Sequence, residues 1–254
     1  MRQHPESTKE PSVPHPLSES AATNASPRPV ALVTGATGGM GSAIVRELAT
    51  THHVIAVGRN SARLAELEHA ANAETWAIDI TDSRSLAERV AGLDRLDVLI
   101  HSAARGGAVS VDSANVEDWA DSFALNVTAP AELTRLTLPL LRTAAGTVVF
   151  IGSGAGTRPV PGSAIYTATK HALRGLADVL RIDEEPHLVR VVTLAPGQTD
   201  TEMLRASIPA ESYRAERYIR PQSIADTVRF IVDAPADVQL TDLAVRPRQE
   251  IARI

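Results

Sequence analysis

Tyr166 and Lys170 stand four residues apart in the run Tyr166-Thr167-Ala168-Thr169-Lys170. That spacing sets both side chains on one face of a helix and brings an ammonium beside a phenol. A phenol ionises at about pH 10 and is no base at neutrality, but a nearby cation favours the phenolate and lowers that value. A fall of ~3 units needs ~4 kcal/mol of differential stabilisation, which is within reach of a group that is also partly desolvated. Such a tyrosine can accept or donate a proton at a carbon–oxygen bond. The same pair also arises by chance, as an exposed helical tyrosine and a solvated lysine, so its meaning depends on the rest of the chain.

A second stretch carries chemistry in its backbone. Thr34-Gly35-Ala36-Thr37-Gly38-Gly39-Met40-Gly41 follows an apolar run and opens into a helical pattern. Gly35, Gly39 and Gly41 permit a tight turn and close approach of backbone to a ligand. The helix start offers free N–H groups and a positive dipole end to a pyrophosphate. The spacing Gly-x-x-x-Gly-x-Gly differs from the Gly-x-Gly-x-x-Gly of other dinucleotide sites. Any turn uses glycine; the place of this one, between a first strand and a first helix, makes it a dinucleotide site. About 20 positions on, an acidic residue commonly holds the ribose 2′-OH of NAD. Here no carboxylate lies between Glu47 and Glu66, and the next strand ends Val57-Gly58-Arg59-Asn60. A guanidinium suits a 2′-phosphate, so Arg59 favours NADP(H) over NAD(H), although a solvated arginine at a strand end would read the same way.

The elements that must hold these groups are legible as short apolar runs alternating with amphipathic segments. Strands are predicted at Val30–Val33, His53–Val57, Thr75–Ile78, Asp97–Ile100, Thr147–Ile151, Val189–Leu194 and Asp242–Val245. Helices are predicted at Met40–Thr50, from a cap at Asn60 through Ala70, and at Asp82–Ala91, Val116–Phe123, Ala129–Arg142, Ser163–Asp183 and Ser223–Val232. Continuously apolar strands alternating with helices imply a parallel sheet covered on both faces. The fold class is therefore α/β: a doubly wound, Rossmann-like parallel sheet of about seven strands, which binds ligands beyond the strands' carboxyl ends. The Pro- and Ser-rich stretch over residues 1–29 reads as a disordered tail, and residues 30–254 as one catalytic domain.

Composition narrows the function classes. Apolar residues make up 44% of the 254 positions but aromatics only 3%, so the core is built from Ala, Val, Leu and Ile. A net charge of −5 gives no sign of a nucleic-acid partner. Cysteine is absent, which excludes disulfides and thiolate metal sites; no metal is expected. No apolar run reaches the ~18 residues of a membrane span, and no secretory signal is visible, so a soluble, cytoplasmic protein is expected.

Together these residues resemble the short-chain dehydrogenase/reductase family in its single-domain form, over about Pro29 to Ile224. Thr34-Gly35-x-x-x-Gly39-x-Gly41 is similar to the family's cofactor turn, and Tyr166-x-x-x-Lys170 to its catalytic pair. Ser153 lies 13 residues before Tyr166, where the family has its catalytic serine. Asn126, in Leu125-Asn126-Val127, is similar to the fourth catalytic residue, Pro196-Gly197-x-x-x-Thr201 to the turn at the nicotinamide end, and Asp79 to the adenine-contacting aspartate. The resemblance implies that Tyr166 is general acid in reduction and general base in oxidation. Lys170 would lower its pKa and bind the nicotinamide ribose, Ser153 would hydrogen-bond the substrate oxygen, and Asn126 would hold a water that links Lys170 to solvent. It implies a cofactor held by Gly35, Thr37, Gly39, Met40, Gly41, Arg59, Asp79, Ser102, Ala103, Tyr166, Lys170, Pro196, Gly197, Thr199 and Thr201. Blander roles fit some of these: Ser153 as a loop residue, Asn126 as a helix bridge, Thr201 as an N-cap.

The chain departs from the family at His101-Ser102-Ala103-Ala104, where Asn-Asn-Ala-Gly is usual. His101 reads as a structural replacement that brings a pKa of about 6.5 to the cofactor crevice. Gly38 stands where NADP-using members often carry a basic residue. Substrate contacts are expected from loops Arg105–Ser110, Thr157–Pro161 and Gln198–Ile219, the last a partly apolar lid containing a helix. Arg105 and Arg158 could meet an anionic substrate. The function read here is hydride transfer between NADP(H) and the carbonyl or alcohol of a small molecule. The alternative is a non-catalytic dinucleotide-binding regulator, against which Asn126, Ser153, Tyr166 and Lys170 argue. An epimerase or dehydratase would need a larger C-terminal part. The resemblance also implies a homodimer or homotetramer, built through the helices around Ala129–Arg142 and Ser163–Asp183.

Overall fold

A computed structural model describes Met1 and residues 28–249. The predicted tail falls almost entirely outside the described residues. At its end, Arg28 donates to the Ala49 carbonyl at 2.6 Å, and the Pro29 carbonyl accepts from His53 N at 2.9 Å.

Seven parallel strands form one sheet: β1 (Val30–Thr34), β2 (His53–Gly58), β3 (Glu74–Ala77), β4 (Val98–His101), β5 (Thr147–Ile151), β6 (Arg190–Pro196) and β7 (Asp242–Val245). Their spatial order is β3-β2-β1-β4-β5-β6-β7. The helices between them are α1 (Gly39–Leu48), α2 (Ser61–Ala71), α3 (Ser83–Val90), α4 (Val116–Phe123), α5 (Ala129–Ala144), α6 (Ala164–Asp183), α7 (Glu202–Arg205) and α8 (Pro221–Val232).

Alternation along each strand explains the two-sided core. Ala31 and Val33, Val98 and Ile100, and Val149 and Ile151 face one layer, where Ile44, Leu48, Leu64 and Val228 cover them. Leu32, Leu99, Val148 and Phe150 face the other, under Leu86, Leu133, Leu173 and Ala177. Side chains two apart share a face, so a strand that is apolar at every position must be covered twice. Helices α1, α2 and α8 thus pack on one face, and α3, α5 and α6 on the other.

The chain runs from β1 outward to β3, then crosses to β4 on the far side of β1. That reversal leaves a crevice beyond the carboxyl ends of β1 and β4. Caps fix the helices around it. The Asn60 side chain accepts from Arg63 N at 3.1 Å, as its position before α2 suggests. Asp82 caps α3 through Arg84 and Ser85, and Asn115 and Asp118 form a reciprocal capping box on α4.

Several boundaries differ from those read in the sequence. His101 belongs to β4 rather than to the loop after it, paired with Thr34 and Phe150. The third strand starts and ends one residue earlier than predicted, because Glu74 opposite Ile55 begins the ladder. The sixth runs on to Pro196, since Pro196 still pairs with Val245. The gap between the helices at 116–123 and 129–142 is bridged by a wide π-helical turn, Ala124–Thr128.

Candidate active site

The floor of the crevice is the turn after β1. Gly35 has φ +65°, a conformation that costs a residue with a Cβ ~1–2 kcal/mol. A Cβ there would also stand 2.6 Å from both N and Cα of Ala103. The Thr34 hydroxyl fixes that contact: it accepts from Ser102 N at 3.2 Å and Ala103 N at 3.3 Å, and donates to the Ile100 carbonyl at 3.3 Å. Gly41 lies so close to the Gly35 carbonyl that a side chain would collide with it. No side chain caps the start of α1. Bare helix-terminal amides over glycines that cannot be replaced fit a pyrophosphate. Met40 is partly buried against the core on the same turn.

Arg59 and Asp79 flank the outer end of this floor. Arg59 Nη1 donates to Asp79 Oδ2 at 3.5 Å, and the guanidinium is largely exposed. Asp79 lies two residues beyond β3 and is held below the usual carboxylate range, first by the Thr81 amide and hydroxyl and then by Arg59. Thr37 reaches Gly58: a Cβ there would be 2.9 Å from Thr37 Cγ2.

Ser153, Tyr166 and Lys170 come together beyond β5 at the start of α6. The Ser153 hydroxyl lies close enough to the Tyr166 phenol to draw its pKa down and accepts from Ala155 N at 3.1 Å. Lys170 is buried, 3% exposed. Its Nζ donates to the Ile151 carbonyl at 2.8 Å and lies 5.7 Å from the Tyr166 ring centroid. The electrostatics correct the sequence expectation. Burial pushes the Tyr166 phenol above its usual value, against the Ser153 hydroxyl, which pulls it down. Burial also lowers Lys170 to about 8. The ammonium is aimed at the end of β5 rather than at the phenol oxygen, so desolvation outweighs charge.

Asn126 lies in the π turn, 1% exposed. Its Oδ1 accepts from Arg105 N at 2.8 Å, and its Nδ2 donates to the Arg105 carbonyl at 2.9 Å and to Thr169 Oγ1 at 3.1 Å. The carboxamide therefore ties the loop at Arg105 to α6, and its hydrogen bonds go to Arg105 and Thr169 rather than to Lys170. His101 is also buried, stacked on Phe150 with ring centroids 4.7 Å apart, and its Nε2 meets Thr134 Oγ1 at 2.9 Å. Burial lowers its pKa to about 3, so the group near 6.5 expected in the crevice is instead a neutral ring inside the sheet.

The turn and loop expected at the nicotinamide end follow β6. Pro196 is buried at the strand end, and Gly197 N donates to the Val245 carbonyl at 2.7 Å. Buried Thr199 bridges to Ile219, which closes the base of that loop. Thr201 caps α7 through Leu204 N at 3.3 Å, and its Cγ2 would stand 3.1 Å from a Cβ on Gly39. The loop after β6 thus reaches both sides of the crevice. Glu202 pairs with Arg63 at 2.5 Å, while Met203 Sδ would stand 2.7 Å from a Cβ on Gly106. Beside Tyr166 a cleft is lined by Arg105, Gly106, Val109, Asp118 and Ile165. Arg105 spends its charge on Asp121 at 3.1 Å.

Sequence reasoning missed Arg63 and Thr169, and placed Thr34 in the glycine turn without the role of its hydroxyl; the Arg63–Glu202 pair, 139 residues apart, had no signal. Among the described residues, no cluster of His, Asp and Glu could hold a metal ion, and no helix is long and apolar enough to cross a membrane.

Comparison with known proteins agrees with this geometry. Residues 29–212 match the family model for short chain dehydrogenases. An uncharacterised short-chain type dehydrogenase/reductase from Sinorhizobium fredii, y4eK, is 32% identical over 233 residues, covering 87% of this chain and 92% of that one. The NADP-dependent 3-hydroxy acid dehydrogenase YdfG of Escherichia coli is 31% identical over 234 residues, covering 86% and 94%. The closed form of a serine dehydrogenase complexed with NADP+ superposes with a TM-score of 0.78 at 30% identity, covering 85% and 94%. With a parallel seven-stranded sheet and a family match over most of its length, the chain belongs to the short-chain dehydrogenase/reductase family and is an NAD(P)-dependent oxidoreductase.

Proposed function

We propose that this protein interconverts an alcohol and a carbonyl on a small substrate using NADP(H), with Tyr166 as proton donor in reduction and proton acceptor in oxidation. The observation that carries this reading is the proximity of Ser153 to Tyr166, whose phenol the serine hydroxyl draws down in pKa, beside a cleft and backed by the buried Lys170. Two hydroxyls this near each other can both meet one substrate oxygen. Ser153 then donates to that oxygen as charge builds on it, and Tyr166 supplies the proton. The bound nicotinamide supplies or accepts the hydride.

Lys170 spends one N–H on the Ile151 carbonyl; an ammonium has three, and the remainder serve the cofactor ribose and the proton path. With its carboxamide committed to Arg105 and Thr169, Asn126 holds the π turn in place. A π turn displaces main-chain carbonyls from their usual i+4 partners, and such a carbonyl can hold the water that resupplies Lys170.

Arg59 supports NADP(H) over NAD(H). Among the described residues its partner is Asp79, across an exposed 3.5 Å contact, and pairs of this kind contribute little, so the guanidinium is available to a 2′-phosphate. Both the Escherichia coli hydroxy acid dehydrogenase and the serine dehydrogenase complex carry NADP in their names. The reading extends to a homodimer or homotetramer formed through α5 and α6, where Val179 and Ile182 are exposed.

The test is Tyr166→Phe, followed by NADPH absorbance across a panel of small carbonyl compounds. The reading expects turnover to fail while NADPH still binds. Retained turnover would reject the role given to Tyr166.

A further inference from the structure

The chain leaves β7 as Val245-Arg246-Pro247. Because β7 lies beside β6, which lies beside β5, this exit sits at the same end of the sheet as Gly197 and Ser153. Arg246 reaches back across both. A Cβ on Gly197 would stand 3.4 Å from Arg246 Cδ and 2.9 Å from Pro247 Cδ, so the stem lies along the turn after β6. A Cβ on Gly154 would collide with Arg246 Nη1 and stand 3.2 Å from Cζ, so the guanidinium rests on the residue directly after Ser153. Both glycines are sites where a side chain would push this arginine away.

The charge there is unspent. Among the described residues Arg246 has neither an ion pair nor a side-chain hydrogen bond, whereas other arginines around the cleft are matched: Arg105 by Asp121 at 3.1 Å, Arg205 by Asp200 at 2.6 Å and Arg63 by Glu202 at 2.5 Å. An unmatched guanidinium presents a planar fork of donors that fits a carboxylate in two-point fashion. Consecutive Cα atoms are about 3.8 Å apart. A fork on Gly154 therefore rests one residue along the chain from Ser153.

We infer that Arg246 anchors the substrate by its carboxylate, and that the substrates are short oxo and hydroxy acids whose reacting carbon meets Ser153 and Tyr166. This rests on the reaction proposed above and adds to it the substrate class and the residue that selects it. Arg105, offered for that role by the sequence, is held by Asp121 and by Asn126 instead.

The probes are acetoacetate and its neutral methyl ester, reduced with NADPH by wild-type protein, Arg246→Met and Arg246→Lys. Methionine keeps most of the stem over Gly197 and removes the charge; lysine keeps the charge and loses the fork. The expected result is a ratio of kcat/KM, acetoacetate over ester, that falls on the order of 10–100-fold in Arg246→Met, chiefly through KM, and is partly restored in Arg246→Lys. An unchanged ratio would overturn the inference, as would a lysine variant no better than methionine. Binding of acetoacetate to the protein–NADP+ complex, by calorimetry, gives a readout that needs no turnover. Weakening by the same factor in Arg246→Met supports the anchor. Equal binding in both proteins, or none in wild type, refutes it. A loss of NADP+ affinity with acetoacetate preference intact would assign Arg246 to the cofactor and also refute it. Failure of the underlying reaction reads differently: Tyr166→Phe would then reduce the ester as fast as wild type, whatever Arg246 does.

Discussion

Replacing Gly35 with alanine should damage both stability and cofactor binding, and the structure gives the size. The φ of +65° costs a Cβ-bearing residue ~1–2 kcal/mol. The added methyl would stand 2.6 Å from N and Cα of Ala103 and 2.8 Å from the carbonyl carbon of Ser102. Those are backbone atoms at the end of β4, so no rotamer change relieves the contact, and overpacking of this kind costs ~1–3 kcal/mol. Moving Ala103 aside also lengthens the bonds that Ser102 N and Ala103 N make to Thr34 Oγ1, at 3.2 and 3.3 Å. The expected loss is about 2–5 kcal/mol, read from the urea midpoint at unchanged m-value. NADPH affinity should fall at least ~10-fold under conditions where the variant is folded. A loss below ~1 kcal/mol together with unchanged NADPH binding would refute both the strain argument and the placement of the cofactor over this turn.

Three further outcomes follow from the site. Arg59→Asp should move preference towards NADH, measured as the ratio of kcat/KM for the two cofactors; an unmoved ratio would mean that Arg59 does not read the 2′-phosphate. Burial holds Lys170 at about 8, below the ordinary lysine value, so its ammonium is present below that pH and lost as pH rises through it. kcat/KM for reduction should fall above about pH 8, and Lys170→Arg, which stays charged, should shift that limb upward. His101 is neutral above about pH 3, so His101→Asn should leave the pH–rate profile between 5 and 8 unaltered; loss of a limb there would show that the ring titrates during turnover.

Much of this architecture is legible in the sequence, for physical reasons. A strand buried on both faces must be apolar at every position, so Leu32, Val33, Val148 and Val149 announce a covered parallel sheet. A turn that allows no Cβ must keep its glycines, so Gly35 and Gly41 mark the crevice. Helical periodicity puts Tyr166 and Lys170 on one face, and Ser153 lies at the end of the neighbouring strand.

What was not legible depends on contacts between distant parts of the chain. The π turn holding Asn126 adds a residue to a helix without changing its composition. The direction of the Tyr166 shift is set by burial, which no local pattern shows, while Lys170 Nζ is drawn to the Ile151 carbonyl. His101 could be read as a crevice group because nothing local says that Thr134 and Phe150 enclose it. Arg63 meets Glu202, and Arg246 meets Gly154, only because the sheet order brings their loops to one end.

The central claim is that Tyr166 moves the proton while the cofactor site stands independently of it. Measuring Tyr166→Phe for NADPH affinity and for single-turnover carbonyl reduction tests it most directly. The account predicts affinity within ~3-fold of wild type and a rate lower by about 10²–10⁴-fold, the usual worth of a positioned general acid. A reduction rate close to that of wild type, or a collapse of NADPH binding that accounts for the whole loss, would contradict it.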